Sequence, residues 1–184
     1  MGGTVYSERE NKAMLCVIAK IDAASRMRLA GIQRIAEDFG IPVRELYGHI
    51  TLATYLGEEE EAFVASCKAS LPCRKAFPVR YDQIEVLDAT SIIVASPRKE
   101  GDLAAIHGEI ERRWGAHFNH WTQGEAWYPH TTLLYKPQTD LSAIAAAMEQ
   151  GFAPFDAWVE RIEFSRVHED GYEILDAIDL EMRR

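Results

Sequence analysis

The chain has 184 residues, of which 47% are apolar and 27% charged, and its formal net charge is −9. These proportions are typical of an ordinary soluble globular protein, and the length favours one domain with a sizeable core. The negative charge argues against a protein that coats long nucleic acid, because such binding neutralises phosphates with a broad basic surface. It leaves room for a small anionic ligand in a locally positive pocket.

The sequence contains no segment typical of membrane insertion or secretion. No apolar run approaches the length of a bilayer span, and residues 1–11 are polar and lack an apolar signal core. The three cysteines make no even disulfide set and no close metal-binding pair. We therefore expect a cytoplasmic protein in a reducing environment, with no membrane partner.

The first half of the chain predicts five elements in the order strand, helix, strand, helix, strand. Asp22 is the expected N-cap of the first helix, Gly40 ends that helix, and a change of apolar phase near Asp82 indicates a bulge in the third strand. The predicted segments are residues 12–20, 22–39, 47–53, 58–70 and 77–87.

The second half restarts the same order, so the sequence predicts a repeat with units of about 12–87 and 88–180. Strands and helices are mixed throughout, which favours an α+β fold in a single domain of two pseudo-symmetric lobes. The predicted segments are residues 90–95, 103–114, a strand near 128, 141–151, 155–164 and 172–180.

One motif occurs once in each unit. Residues 47–52 read Tyr-Gly-His-Ile-Thr-Leu and residues 128–133 read Tyr-Pro-His-Thr-Thr-Leu, which are 81 positions apart. The shared pattern is Tyr-x-His-x-Thr-Leu. Because side chains alternate along a strand, the first copy predicts a polar face and a core face. The polar face would carry Tyr47, His49, Thr51 and Ala53, and the core face Ile50 and Leu52.

The residue types of this motif suit acid–base chemistry on a phosphate ester. Histidine is the side chain best placed to give or take a proton near neutral pH, and cleavage of a phosphodiester uses both a base and an acid. The threonine lies roughly 6.5–7 Å along the same face, where its hydroxyl can donate to a non-bridging phosphate oxygen. The candidate catalytic residues are His49, Thr51, His130 and Thr132. Their chemistry needs no metal and no cofactor.

Two His-x-Thr-Leu strands in a duplicated α+β chain resemble the 2H (two-histidine) phosphoesterase superfamily, which includes bacterial 2′-5′ RNA ligases and RNA 2′,3′-cyclic phosphodiesterases. The resemblance covers about residues 12–180. It implies a bilobal fold of two β-sheets with flanking helices, a central cleft, and metal-independent opening of 2′,3′-cyclic phosphates. By analogy with several members, it also implies that His49 is the general acid and that His130 is the base that activates water.

The expected substrate is a small nucleotide with a cyclic phosphate, a related 2′-linked phosphodiester, or an RNA end. The acidic balance of the chain favours the small nucleotide. Three alternatives remain: a 2′-5′ RNA ligase, a nucleotide- or RNA-binding or regulatory module that keeps the cleft without turnover, and a metal hydrolase with histidine ligands. A chelator would inactivate only the metal hydrolase.

Other residues carry weaker signals. Tyr47 and Tyr128 share the faces of their histidines and could stack on a base, bond a phosphate, or pack at the rim of the sheet. His117 and His120 have the spacing of a metal pair, but no familiar ligand completes a set, which favours a helix end or loop. His107 interrupts an apolar helix face and is expected to be a satisfied interior histidine.

Overall fold

The computed structural model describes residues 14–71, 75–87, 90–168 and 171–181, and it confirms the α+β class and the predicted order of elements. The polar segment 1–11 lies outside the described residues, as does Pro72, which the sequence predicts to end the second helix. The strands are β1 Met14–Ile21, β2 His49–Tyr55, β3 Phe77–Val86, β4 Ile92–Pro97, β5 Thr131–Tyr135, β6 Phe155–His168 and β7 Gly171–Asp179. The helices are α1 Ala23–Gln33, α2 Glu60–Ser70, α3 Gly101–Trp114 and α4 Ser142–Gly151.

The seven strands form one antiparallel sheet in the order β2-β1-β6-β3-β4-β5, with β7 on the far part of β6. The 14-residue strand β6 joins the two parts of this sheet. Its first residues pair with β3, and the rest pair with β1. The two expected sheets are therefore joined by hydrogen bonds through β6, and the division into two lobes stays a prediction.

Helix α1 begins as its sequence predicts. The Asp22 carboxylate accepts hydrogen bonds from the Ser25 backbone at 2.9 Å and from the Ser25 hydroxyl at 2.6 Å. The chain then tightens into a 3-10 turn over Arg34–Phe39 and ends at Gly40, whose φ of 73° lies in the left-handed region. The helical spacing of Leu29, Ile32, Ala36 and Phe39 predicts one apolar stripe on this helix. Phe39 departs from that prediction, since the tighter turn rotates its side chain out to 45% exposure.

Both motif strands carry a bulge at the leucine that follows the motif threonine. On β2, Thr51 pairs with Ile18 and Ala53 pairs with Val17, so that Leu52 has no partner in the ladder. Strand β5 has a matching bulge: Thr132 pairs with Val94 and Leu134 pairs with Ile93, so that Leu133 has no partner in the ladder. A further predicted bulge, at Asp82 on β3, is confirmed by the shift between Tyr81 and Gln83.

The bulge at Leu52 corrects one sequence expectation. Ala53 was expected on the face of His49 and Thr51, but its partner Val17 is fully buried and neighbours Ile18 on the opposite face of β1. One inserted residue reverses the alternation for everything beyond it. The polar face of β2 therefore ends at Thr51.

In the part of the chain that the structure describes, no helix is long and apolar enough to cross a membrane.

Candidate active site

The first motif places His49 at the start of β2, directly after a backbone turn. Gly48 has a φ of 66°, and a Cβ there would lie 2.2 Å from the Cγ atom of Arg26. Only glycine fits this position, because it needs both the left-handed backbone and the absence of a side chain. His49 then pairs with Lys20 across the ladder, and Thr51 pairs with Ile18. His49 and Thr51 therefore share one face, and both are half-buried.

The second motif places His130 directly before β5. The His130 Nδ1 atom lies 2.8 Å from the carbonyl oxygen of Tyr128. A carbonyl only accepts, so Nδ1 carries the proton, and Nε2 of the neutral ring is left as a proton acceptor. Thr132 pairs with Val94 and is exposed.

The two motif strands are the two edges of the strand order, and side chains bring them together. The Thr131 hydroxyl donates to the His49 carbonyl at 3.0 Å, and the Trp127 indole donates to the Thr51 carbonyl at 2.9 Å. The Tyr81 hydroxyl lies 2.6 Å from Thr131 Oγ1. Since the Thr131 proton is already used, Tyr81 is the donor in that contact.

Each bulged leucine carbonyl receives a hydrogen bond from a helix of the other predicted repeat. A bulge removes a residue from the ladder, so its buried carbonyl needs another donor. Gln33 of α1 donates to the Leu133 carbonyl at 2.9 Å, and Nδ1 of His107 on α3 donates to the Leu52 carbonyl at 2.8 Å. These two bonds explain why a glutamine and a histidine are buried on otherwise apolar helix faces.

His107 is the interior histidine that its sequence position indicates, with 4% exposure. Its ring stacks on Trp127 with a centroid distance of 3.7 Å and an interplanar angle of 14°. Its Nε2 atom has no hydrogen-bond partner among the described residues and lies 3.5 Å from a Glu111 carboxylate oxygen. Burial lowers the pKa of His107, although the Leu52 carbonyl and Glu111 act in the opposite direction. The ring therefore supports both Trp127 and the motif strand.

Sequence reasoning missed two glutamates that bind the motif tyrosines. Tyr47 donates its hydroxyl to Glu163 at 2.5 Å, and Tyr128 donates its hydroxyl to Glu85. Both tyrosine hydroxyls thus bind a carboxylate, so neither hydroxyl is free to bind a phosphate. The glutamates occupy matching places, because Glu163 shares a row of the sheet with Thr51, and Glu85 shares one with Thr132.

The surroundings of the two glutamates differ in charge. Glu163 is only 3% exposed and accepts from Arg161 Nε at 3.0 Å, and the Lys20 ammonium lies 3.5 Å from the centroid of the Tyr47 ring. Glu85 accepts from neutral groups, the Ser96 hydroxyl at 3.0 Å and the Gln83 amide at 2.5 Å. The His49 side therefore contains two cations beside its carboxylate, and the His130 side contains none within the contacts described.

The positions of Glu85 and Glu163 explain why they were missed. Each follows an isoleucine in a strand with alternating apolar residues, which is the pattern of a solvent-facing charge. Only the register of β6 against β1, and of β3 against β4, shows that they lie in the rows of the motif threonines. Lys20 likewise resembles a flanking charge at a strand end until its pairing with His49 is known.

Burial favours the neutral form of both candidate histidines. Burial, the neighbouring His130 and Lys20 lower the pKa of His49 to about 4, while Glu163 acts in the opposite direction. Burial also lowers the pKa of His130, and the Tyr128 carbonyl and Glu85 oppose that effect. The two rings are close enough for the charge of one to affect the other. A negatively charged phosphate between them would favour protonation of one ring.

The remaining histidine pair lies in short turns. His117 ends the 3-10 turn Gly115–His117 and His120 begins the next, His120–Thr122, which confirms the expected helix end. Across residues 14–71, 75–87, 90–168 and 171–181, no group of three His, Cys, Asp or Glu side chains is arranged to hold a metal ion.

Comparison with known proteins identifies relatives of this arrangement. The family described as the 2′-5′ RNA ligase superfamily matches residues 22–171. A search of curated protein sequences gave no significant match. Among solved structures, E. coli LigT complexed with NADP+ has 16% identity and a TM-score of 0.62, covering 94% of this chain and 99% of LigT. LigT complexed with 3′-AMP has 16% identity and a TM-score of 0.59, with coverages of 91% and 97%. A phosphoesterase has 15% identity and a TM-score of 0.61, with coverages of 92% and 99%. At these identities the structures show a shared fold.

Proposed function

This chain belongs to the 2′-5′ RNA ligase superfamily, and on that premise we propose that it is a metal-independent phosphodiesterase that opens 2′,3′-cyclic phosphates. The observation that carries the proposal is the pair of imidazoles, each on a motif with a threonine, on strands tied together by the Thr131–His49 hydrogen bond. One imidazole acts as the base and the other as the acid of a phosphodiester cleavage.

The reaction follows from the functional groups of the motif. The negative charge of the bound phosphate favours the imidazolium form of one ring. Water attacks phosphorus and gives a proton to the neutral ring, while the imidazolium ring protonates the departing ribose oxygen. The P–O bond to that oxygen breaks, and a 2′- or 3′-phosphomonoester results. The hydroxyls of Thr51 and Thr132 donate to the non-bridging oxygens and stabilise the charge that builds there.

The proposed substrate is a small nucleotide with a cyclic phosphate, with an RNA end or a related 2′-linked phosphodiester as a second possibility. The LigT structures contain NADP+ and 3′-AMP, which supports a ligand of nucleotide size for a chain with this fold. The net charge of −9 disfavours a long RNA. The family description favours one alternative activity, 2′-5′ RNA ligation, in which a ribose or 5′ hydroxyl replaces water.

The test is turnover of a substrate panel in excess chelator. The panel contains 2′,3′-cyclic mononucleotides, oligoribonucleotides with a cyclic-phosphate end, ADP-ribose 1″,2″-cyclic phosphate and 2′-5′-linked dinucleotides. Wild type is compared with His49→Ala and His130→Ala, and with His120→Ala as a control at an exposed histidine outside the motifs. We expect either motif substitution to lower kcat by at least about 10²-fold, and the control to match wild type.

Each outcome points to one activity. Turnover that survives the chelator and depends on both histidines supports the hydrolase, and joined products in the presence of a 5′-hydroxyl oligonucleotide support the ligase. Loss of turnover with chelator would identify a metal hydrolase instead. Binding of the panel without turnover would replace the enzyme with a nucleotide-binding module.

A further inference from the structure

The two motifs are alike in backbone and unlike in charge. On the His49 side, Lys20 of β1 pairs with the histidine. The corresponding residue of β4 on the His130 side is Ser96, which lies two positions beyond Val94, the partner of Thr132. The next strand adds Arg161 opposite Lys20 and Gln83 opposite Ser96. Matching positions thus carry two cations on the His49 side and two neutral groups on the His130 side. The electrostatic interaction of a negatively charged phosphate therefore differs between the two sides.

Lys20 lies next to His49, and its ammonium contacts a tyrosine ring. Residues paired across an antiparallel ladder have Cβ atoms about 4.5–5.5 Å apart, so the lysine stem lies beside the imidazole. Its ammonium lies 3.5 Å from the centroid of the Tyr47 ring, which is a cation–π contact. Among the described residues Lys20 forms no ion pair, and the Glu163 carboxylate instead accepts from Arg161 and Tyr47. Burial lowers the pKa of Lys20, as expected of a cation that lacks full hydration.

Tyr47 fixes the direction in which this cation points. Its ring face contacts the Lys20 ammonium, and its hydroxyl donates a hydrogen bond to Glu163. Its ring also packs against those of His49 and Tyr172, with centroid distances of 5.5 Å and 4.9 Å. The tyrosine of the second motif has no cation above it among the contacts described, and its hydroxyl is tied to Glu85. The difference between the two motifs therefore begins at Lys20.

We propose that Lys20 is a substrate-contacting residue that binds the scissile phosphate on the His49 side, and that Lys20 and Glu85 together determine which histidine is the base and which is the acid. In this assignment His49 is the base and His130 is the acid. The inference rests on the proposed function and goes further by giving each histidine one role. It reverses the roles that the family resemblance implies.

With these roles, every proton that is taken up or released in the reaction is accounted for. An attacking water loses a proton to neutral His49 as its oxygen bonds to phosphorus, and Lys20 offsets the negative charge that develops on the non-bridging oxygens. The P–O bond to one ribose oxygen breaks, and that oxygen takes a proton from His130, whose imidazolium form is favoured by the Glu85 carboxylate. Exchange with solvent then returns the proton from His49 and reprotonates His130.

The charges around each ring agree with these roles. Lys20 opposes a positive charge on His49. Arg161 donates to the Glu163 carboxylate, which would favour that charge, at 3.0 Å and also to Asp179 at 2.5 Å. Glu85 favours a positive charge on His130 and has no such cationic donor among the described residues. The groups that face His49 are Lys20, Tyr47, Glu163 and His130, and those that face His130 are Tyr128, Glu85 and His49.

The first test removes the cation. Lys20→Met should lower kcat/KM for the cyclic phosphate by about 10²-fold, and Lys20→Arg should restore most of it. Lys136→Met, which removes one exposed positive charge just beyond β5, should match wild type. Loss of Lys20 also raises the pKa of His49, so the acidic limb of the kcat/KM profile should move to higher pH. Glu85→Gln should instead move the alkaline limb to lower pH, since it removes the charge that supports protonated His130.

A purely structural role for Lys20 gives a different result. It would lower the melting temperature of Lys20→Met without moving either limb of the pH profile, and Lys20→Arg would not restore kcat/KM. Either finding overturns the proposal. Turnover by wild type in the same assay shows that the proposed function itself holds, whereas absence of turnover in wild type would mean that the function has failed first.

The second test assigns the acid directly. The product isomer identifies which ribose oxygen leaves, and a substrate analogue with sulfur at that position releases a thiolate that needs no proton. His130→Ala should recover toward the wild-type rate on this analogue, and His49→Ala should stay impaired. Recovery of His49→Ala instead would show that His49 is the acid and would refute the assignment.

Discussion

Replacement of Thr131 by valine tests the contact that ties the two motif strands together. The Thr131 side chain is 1% exposed, accepts a hydrogen bond from the fully buried Tyr81 hydroxyl, and donates one to the His49 carbonyl. Valine has the same shape and can do neither. Loss of two hydrogen bonds costs about 2 kcal/mol, and the Tyr81 hydroxyl left without a partner adds up to about 2 kcal/mol more. We expect a total loss of about 2–4 kcal/mol in the free energy of unfolding.

A double-mutant cycle separates the two contributions. Tyr81→Phe alone removes one hydrogen bond and leaves the Thr131–His49 bond in place, so it should cost about 1 kcal/mol. In the double variant no phenol is left unpaired, and the total should be about 2 kcal/mol, which is less than the sum of the single changes. Urea denaturation at equal m values measures all three differences. Thr139→Val is the control, because this half-buried threonine makes only a long 3.4 Å hydrogen bond to the Pro137 carbonyl, and it should stay within about 0.5 kcal/mol of wild type.

The same substitution has a consequence for activity. The Thr131 hydroxyl sets the position of the His49 backbone relative to the second motif, and a misplacement of about 1 Å can cost about 10²-fold in rate. We therefore expect kcat of Thr131→Val to fall while KM changes little. A valine variant within about 0.5 kcal/mol of wild type, or additive single and double changes, would refute the reasoning from this contact.

Two further predictions concern stability. The free energy of unfolding should fall as the pH decreases from 6.5 to about 4, because His49 takes up a proton in the unfolded chain over this range and, with its lowered pKa, does not in the folded chain. Denaturation at several pH values should show a smaller decline for His49→Asn. A decline equal to that of wild type would count against the lowered pKa. Gln33→Met should cost about 1–3 kcal/mol, since the bulged Leu133 carbonyl loses its donor. Thermal denaturation beside Arg34→Met, at an exposed neighbour, checks this, and equal melting temperatures would contradict the role of Gln33.

The order of strands and helices could be predicted because it depends on local patterns. The apolar run of β1, the helical spacing in α3 and the Asp22 cap are each properties of a short segment, and the structure confirms all three. The bulge at Asp82 was also predictable, since the apolar phase of β3 changes there. The family relationship followed from the paired motifs for a similar reason, because a pattern that occurs twice is visible in one sequence.

The parts that sequence could not supply depend on register. Nothing in the alternation of the first motif marks Leu52 as a bulge, because His49, Thr51 and Ala53 continue an unbroken pattern. Glu85 and Glu163 occupy positions that suit a solvated strand face, and only the pairing of distant strands places them beside Tyr128 and Tyr47. The roles of the six predicted site residues stay predictions until the substitutions are measured.

The bulged carbonyls have a consequence for how this protein folds. The bond between Gln33 and Leu133 joins residues 100 positions apart, and the bond between His107 and Leu52 joins residues 55 apart. Such contacts form only after long segments of chain have closed, at an entropic cost that grows with their length. Neither half of the chain can complete its own motif strand, since the donor comes from the other half. We therefore expect the spacing of the two imidazoles to be established in the last cooperative step of folding and to be lost in the first step of global unfolding.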